Sequence, residues 1–241
     1  GVGAENLASI GSFGAAYMTV VLLGPLIDLA VLAAAKAWRR LQGSAVRLEP
    51  LRADHYDDLV EAVRDGELWK LWYTSVPTPE GLAAEIERRL GLQARGSMLP
   101  FAVIAQAGDL AGRAVGMTTY MNIDAPNRRL EIGSTWYRRA VQRSALNTQA
   151  KRLLLAHAFE TLDCIAVEFR THFFNHASRR GIERLGARLD GVLRSHQINP
   201  HPDARGSLRD TCVYSIVASE WPAVRAHLDF QLSRPREGIP C

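Results

Sequence analysis

The spacing of apolar and polar residues changes along the chain at about residue 140. Residues 100–107, 114–121 and 130–137 have the composition or alternation of strands, and Gly108-Asp109 marks a hairpin turn between the first two. After the change, residues 148–162 carry apolar side chains at helical spacing, and residues 165–171 are a further strand candidate. This order, a run of antiparallel strands followed by strand–helix units, predicts a mixed α/β domain.

The residues before this region predict two helices and a first strand. Residues 46–51 alternate as a strand, residues 54–65 follow as a helix, and Thr78-Pro79-Glu80 suits the start of a second helix that runs to about Ala94. Between the helices lies an aromatic segment with Trp69, Trp72 and Tyr73. We expect these rings either to line a pocket or to cap the core.

The apolar segment at residues 15–35 has about the length needed to cross a bilayer. Asp28 near its centre costs about 3 kcal/mol, which offsets most of the gain from its Leu, Ile and Val residues. Both a membrane segment and a leader that does not insert are therefore retained. If it inserts, the following Lys36, Arg39 and Arg40 place the large domain in the cytoplasm. We predict a leader at residues 1–44, one large domain at 45–232 and a tail at 233–241.

Composition excludes several kinds of function. The formal charge of +4 comes mainly from dispersed arginines, and no nucleic-acid-binding motif is present, so no nucleic-acid partner is expected. Cys164, Cys212 and Cys241 form no disulfide framework or metal-binding pattern, and core packing is the expected role of the first two. No Gly-x-Ser-x-Gly turn is present, which argues against a serine nucleophile.

The basic turn between the strand at 130–137 and the helix that follows has the features of an anion site. The first N–H groups of a helix lack intrahelical partners and lie at the positive end of the helix dipole, so they can hold a pyrophosphate. Arg143 can add charge there. The turn and helix start comprise Gln142, Arg143, Ser144, Ala145, Leu146, Asn147 and Thr148.

A second turn carries the pattern Asn-x-x-Ser-(x)4-Glu-x-x-Gly, filled by Asn175, Ser178, Glu183 and Gly186. Asn175 suits a helix N-cap and Gly186 a left-handed stop. With the basic turn, whose Gln142 matches the first position of a Gln/Arg-x-x-Gly-x-Gly/Ala motif, this pattern resembles the GNAT acetyltransferases, in their RimJ/RimL-like branch. Ala145 and Asn147 depart from that first motif.

The resemblance implies a GNAT fold, with a mostly antiparallel central sheet that is splayed and flanked by helices, behind the hydrophobic leader. It implies acetyl-CoA as co-substrate and no metal. Residues 142–148 would hold the pyrophosphate, Asn175 would bond the pantetheine amides, and Ser178 would stabilise the leaving thiolate. Trp69, Trp72 and Tyr73 would border the acceptor pocket.

The strand at 130–137 supplies the remaining candidates. Gly133 permits a bulge or a close ligand approach, so the backbone N–H groups of Gly133, Ser134 and Thr135 are candidates to stabilise an oxyanion. Strict alternation places Glu131, Gly133, Thr135 and Tyr137 on one face. Burial would raise the pKa of Glu131 and suit it to deprotonate an amine through a water molecule. The alternatives are that Glu131 pairs with an arginine and that positioning alone suffices.

From these features we predict a cytoplasmic N-acetyltransferase that moves acetyl from acetyl-CoA to a primary amine by direct attack. The amine would be a protein N-terminus or a small amine. The alternative is a catalytically idle CoA-binding or membrane-associated interaction module. The sequence makes no prediction of oligomeric state.

Overall fold

A computed structural model of the protein describes residues 41–234. Its eight strands form one sheet in the order β1-β2-β3-β4-β5-β6-β8-β7. The strands are β1 (Leu41–Gln42), β2 (Val46–Pro50), β3 (Met98–Ala105), β4 (Ala114–Asp124), β5 (Arg129–Tyr137), β6 (Ala166–His172), β7 (Arg188–Ile198) and β8 (Leu208–Val217). The helices are α1 (Tyr56–Arg64), α2 (Leu82–Ala94), α3 (Ala145–Ala156), α4 (His176–Glu183) and α5 (Trp221–Ser233). The predicted mixed α/β architecture is confirmed.

Helices cover both faces of the sheet and bury a separate apolar cluster on each. On one face, α1 and α2 pack their buried residues, such as Leu59 and Ile86, against Met117 and Trp136 of the sheet. On the other face, α3 and α5 pack residues such as Leu154 and Leu228 against the remaining strands. Each helix buries one stripe of side chains, as its sequence spacing requires.

All adjacent strands pair antiparallel except β5 and β6, which are parallel. That parallel pairing joins only Arg129–Glu131 to Ala166–Glu168, and beyond it the two strands separate. The sheet is therefore splayed at its centre, as the resemblance implied.

A bulge interrupts β5 just beyond this fork. Thr119 pairs with Gly133 and Met117 pairs with Trp136, so two residues of β5 face one residue of β4. Ser134 takes the left-handed conformation, with φ of 47°. The extra residue reverses the alternation, and the predicted face of Glu131, Gly133, Thr135 and Tyr137 is wrong. Tyr137 packs into the same core as Leu130 and Ile132, and the Thr135 hydroxyl faces α3.

In the second half of the chain, one helix begins earlier than predicted and another begins at its predicted cap. Helix α3 begins at Ala145 and not at Thr148, because Ser144 caps it. Its last turn, His157–Thr161, widens into a π-helix. Asn175 caps α4 and Gly186 takes a φ of 99° after it, both as predicted.

Cys164 and Cys212 are buried, in agreement with their predicted packing role. No helix within residues 41–234 is long and apolar enough to cross a membrane. The predicted membrane segment at 15–35 and Cys241 lie outside the described residues, as do residues 1–40 of the leader and 235–241 of the tail.

Candidate active site

The basic turn before α3 is a capped helix N-terminus. Ser144 Oγ accepts a hydrogen bond from the backbone N–H of Leu146 at 3.2 Å and donates to the carbonyl of Val141 at 2.6 Å. Gln142 Nε2 donates to the carbonyl of Tyr137 at 3.0 Å, which ties the turn to the end of β5. Arg143 is exposed and left-handed, with φ of 61°. The first turn of α3 therefore presents N–H groups at the edge of the fork.

Two further residues of this turn point inward. Thr148 is buried, and its hydroxyl accepts from Arg184 Nη1 at 3.1 Å. Asn147 Oδ1 is buried and has no hydrogen-bond partner among residues 41–234. A buried amide oxygen of this kind calls for an N–H or O–H donor.

The bulge in β5 is held from the face of the sheet that α2 covers. Arg89 of α2 is 2% exposed, and its Nη1 and Nη2 each donate to the carbonyl of Ser134 at 3.2 Å. Nη1 also donates to Thr119 Oγ1 at 2.9 Å, and Nε pairs with Glu85 at 2.7 Å. Because the peptide is planar and trans, the N–H of Thr135 points away from Arg89.

Lys151 of α3 reaches the same bulge from the opposite face. Its Nζ donates to Thr135 Oγ1 at 2.8 Å and to Thr118 Oγ1 at 3.1 Å. Lys151 is buried, and within the described part of the chain it pairs with no carboxylate. Burial lowers its pKa to about 7. Two buried basic side chains, Arg89 and Lys151, thus hold one segment of β5.

Glu131 lies at the fork, on the face opposite α3, and is 5% exposed. Burial raises its pKa, while the hydrogen bond from Asn122 Nδ2 at 2.7 Å opposes that rise. Arg170 Nε lies 3.6 Å from Glu131 Oε2. Both predicted readings of this carboxylate, a buried base and an arginine partner, therefore have a physical counterpart.

Gly133 is next to this carboxylate for a steric reason. A Cβ at Gly133 would lie 2.7 Å from Glu131 Oε1 and 2.7 Å from Met121 Sδ. Any side chain there would displace the carboxylate. The glycine thus makes room for Glu131 directly before the bulge.

The second motif forms the start and the packing of α4. Asn175 Oδ1 accepts from the backbone N–H of Ser178 at 3.0 Å. Glu183 Oε1 accepts from the hydroxyl of Tyr214 at 2.8 Å, which fastens α4 to β8. Ser178 is half-buried in the first turn of the helix. The capping interpretation of this motif is thus present in the structure.

Aromatic rings gather where β6 ends. The ring of Trp72 lies 5.0 Å from His172 and 5.6 Å from each of Tyr73 and Phe174, centroid to centroid. The loop after β7 holds this segment, because Asn199 Nδ2 donates to the carbonyl of Trp72 at 3.4 Å. Trp72 and Tyr73 therefore line a common surface.

Trp69 is placed differently from the other two aromatic residues. It packs against the core cluster beneath α1 and α2. Its carbonyl lies 3.2 Å from His201 Nε2. The core-capping alternative thus describes Trp69, while Trp72 and Tyr73 face His172.

A match to a known sequence profile shows which family this chain belongs to. The sequence profile of the Acetyltransferase (GNAT) domain matches residues 45–188, more than half of the chain. The chain belongs to the GNAT acetyltransferase family. The predicted family and enzyme class are thereby confirmed.

Individual relatives of this GNAT chain agree with the assignment. YdaF of Bacillus subtilis (strain 168), provisionally named a ribosomal N-acetyltransferase, is 31% identical over 110 residues, which are 46% of this chain and 57% of YdaF. The match thus spans little more than half of that relative. Its name agrees with the predicted RimJ/RimL-like branch.

Solved structures show the same fold. A GCN5-related N-acetyltransferase from Brucella melitensis is 30% identical, with a TM-score of 0.71 over 81% of this chain and 86% of that one. RimJ of Mycobacterium smegmatis, solved with CoA-disulfide, is 21% identical, with a TM-score of 0.63 over 80% of this chain and 91% of that one. At that identity, RimJ supports the fold alone.

The residues of this GNAT domain fit the cofactor that the family uses, acetyl-CoA. The capped start of α3 suits the pyrophosphate. The fork between β5 and β6 leaves room for an extended arm, and the buried Asn147 oxygen matches the N–H and O–H donors that CoA carries. Within the described residues, no group of three or more His, Cys, Asp or Glu side chains forms a metal site.

Sequence reasoning missed Arg89, Lys151 and His172. Arg89 and Lys151 occupy buried stripes of amphipathic helices, at the spacing of Leu82 and Ile86 in α2 and of Leu154 and Leu155 in α3. A charged residue at a core position of a helix is a signal that the sequence contained. His172 carried no comparable local signal.

Proposed function

We propose that the protein transfers the acetyl group of acetyl-CoA to a primary amine by direct attack. The observation that carries this proposal is the fork between β5 and β6, with the capped start of α3, the bulge and Glu131 placed around it. Membership of the GNAT family supports the same reaction. Acetyl-CoA supplies the activated acyl group.

The chain holds the donor mainly through backbone groups. Residues 142–148 surround the pyrophosphate, with the N–H groups of the first turn of α3 as donors and Arg143 as added charge. Asn175 forms hydrogen bonds with the amides of the pantetheine arm. Gln142 contributes indirectly: its side chain donates a hydrogen bond to the carbonyl of Tyr137 and so holds the turn in place.

Oxyanion stabilisation falls to the backbone of Gly133, Ser134 and Thr135. The Ser134 carbonyl points towards Arg89, so the next N–H, that of Thr135, points away from α2. A fixed N–H costs no reorganisation when negative charge develops on the carbonyl oxygen. Support comes from Arg89 and Lys151, which hold this segment by hydrogen bonds from opposite faces of the sheet.

Glu131 takes the proton from the attacking amine through one water molecule. Its raised pKa brings its basicity closer to that of a useful base at neutral pH. The Ser178 hydroxyl stabilises the leaving thiolate by a hydrogen bond. The amine enters along the surface of Trp72 and Tyr73.

The acceptor is a protein N-terminus or a small amine. The name of YdaF supports a protein N-terminus, and the aromatic surface fits either class. We propose a cytoplasmic site of action, where acetyl-CoA is available, and the membrane tether through residues 15–35 stays a prediction.

Calorimetric titration with acetyl-CoA and a CoA-release assay over a broad amine panel test this function. We expect binding, turnover, and an acidic limb in the pH profile of kcat/KM that disappears in Glu131→Gln. Asp109→Asn, in an exposed turn, is the matched control. Absence of acetyl-CoA binding would refute the proposal, and binding without turnover would support the idle CoA-binding module.

A further inference from the structure

Two buried side-chain nitrogens on the neighbouring strands β6 and β8 have no hydrogen-bond partner within residues 41–234. His172 is 3% exposed, and its Nε2 has no hydrogen-bond partner within residues 41–234. The same holds for the buried Nε of Arg209. Buried donors of this kind are rare in folded proteins, so each calls for an explanation.

The tautomer of His172 makes its free nitrogen a donor. Its Nδ1 accepts a hydrogen bond from the backbone N–H of Phe174 at 3.1 Å, so the ring proton of the neutral form sits on Nε2. Burial, and then the charge of Arg209, lower the pKa of His172 and favour the neutral form. His172 therefore offers one N–H in a fixed direction.

His172 and Arg209 lie on the same face of neighbouring strands. His172 pairs with Thr211 across β6 and β8, and Arg209 lies two residues from Thr211, so its side chain leaves the same face. The guanidinium forms no ion pair within the described residues, and burial lowers its pKa. Neighbouring Asp210 is already bound to Arg194 and to the N–H of Ser195.

This unpaired charge acts on the candidate base. Glu131 raises the pKa of Arg209, and Arg209 lowers that of Glu131. The two groups therefore share one electrostatic environment, although they form no ion pair. The negative charge of Glu131 favours an amine, and the positive charge of Arg209 favours an anion. The rings of Trp72 and Phe174 lie beside His172, at 5.0 and 5.8 Å between centroids.

From these observations we infer that His172 and Arg209 form a carboxylate subsite within the acceptor pocket. The acceptor is then a small amine that carries a carboxylate, with its carbon skeleton against Trp72 and Phe174. This inference rests on the proposed acetyl transfer, and it narrows the acceptor to the small-amine class. A planar carboxylate accepts two N–H groups from different donors, which a neutral amide group does less well.

The kinetic test compares acceptors that differ in one group. We would measure kcat/KM with phenylalanine and other amino acids, and with the corresponding amino acid amides. We expect a preference of about 10- to 100-fold for the carboxylate, the range of charge-assisted hydrogen bonds. Arg209→Gln and His172→Phe should each reduce that preference, mainly through KM, while Arg205→Gln, an exposed arginine in the same hairpin, should leave it unchanged.

A binding test separates this inference from the proposed function. N-acetylphenylalanine carries the carboxylate but has no free amine, so its binding to the full chain can be measured by calorimetry whether or not the protein is active. At least about tenfold weaker binding to Arg209→Gln, with an unchanged thermal melting curve, would support the subsite even if no amine released CoA. Equal rates for acids and amides, or probe binding that Arg209→Gln does not weaken, would overturn it.

Discussion

Replacement of Lys151 by methionine should change the pH dependence of stability in a way that the structure specifies. An unfolded lysine has a pKa of 10.5, whereas burial lowers the pKa of Lys151 to about 7. At about 1.4 kcal/mol per pH unit, this difference corresponds to roughly 5 kcal/mol as an upper limit. Methionine has a similar length and no charge to bury, so the Lys151→Met variant avoids this cost.

The direction of the effect follows from which state binds the proton. Above pH 10.5 the lysine is neutral in both states and carries no penalty. As pH falls from 10.5 to 7, the unfolded chain takes up a proton that the folded chain does not, so the penalty grows, and below pH 7 it is constant. Methionine loses the hydrogen bonds to Thr118 and Thr135, worth about 1 kcal/mol each, although these hydroxyls remain bonded to each other at 2.8 Å.

We therefore expect Lys151→Met to be more stable than the parent by about 2–3 kcal/mol at pH 7, and less stable by about 1–2 kcal/mol near pH 10. Urea denaturation between pH 6 and pH 10 gives both values. Lys70→Met, at an exposed lysine paired with Glu67, is the control and should show little change from pH 6 to 9. A difference between Lys151→Met and parent that does not vary with pH would refute the buried, proton-poor Lys151.

Three further substitutions test other contacts. Arg89→Met should lower the free energy of unfolding by about 3 kcal/mol and reduce kcat more than it changes the acetyl-CoA Kd, because it releases the Ser134 carbonyl. Arg88→Met, at an exposed arginine, is the control, and an unchanged kcat in Arg89→Met would contradict the role of Arg89 in holding the bulge. Gly186→Ala should cost about 1–2 kcal/mol in urea denaturation, because φ is 99° and the new Cβ would lie 3.1 Å from Val224; a neutral result would argue against this backbone. Gln149→Ala should cost about 2 kcal/mol, because its Oε1 accepts from the N–H groups of Ala45 and Val46, whereas Gln149→Glu should retain most of that.

Local sequence signals predicted the features of the fold that depend on neighbouring residues. Asn175 and Gly186 marked the ends of α4 because a side-chain cap and a left-handed stop each need a particular residue type. The alternation of side chains before residue 138 located β5, because successive residues of a strand face opposite sides of the sheet. These effects act over a few residues and leave a direct trace in the sequence.

The bulge in β5 left no such trace. Serine is an ordinary strand residue, and the left-handed conformation of Ser134 is stabilised by Arg89, which is 45 residues away in the sequence. Because of this one extra residue, Thr135 lies on the face of the sheet opposite to the one that strict alternation predicted. Position-by-position alternation cannot detect an insertion that a distant side chain stabilises.

The candidate site was predictable where it depends on backbone and not where it depends on distant partners. Gln142–Thr148 was located from the strand, turn and helix around it, although the helix starts earlier because Ser144 caps it. The subsite of His172 and Arg209 arises from the pairing of β6 with β8, which brings together residues 37 positions apart. Arg89 and Lys151 required a reading of charge inside an apolar stripe.

The hydrogen bonds from Arg89 and Lys151 to the bulge of β5 have a consequence for how the sequence of this protein can change in evolution. Ser134 and Thr135 are hydrogen-bonded to helices on both faces of the sheet, so we expect this segment to open less readily than an exposed loop. The surface of Trp72 and Tyr73, in contrast, belongs to the connection between α1 and α2 and is held by the loop after β7. Under the proposed function, substitutions in those loops would change which amine is accepted while the backbone of Gly133, Ser134 and Thr135 stays in place, so specificity and chemistry could evolve independently.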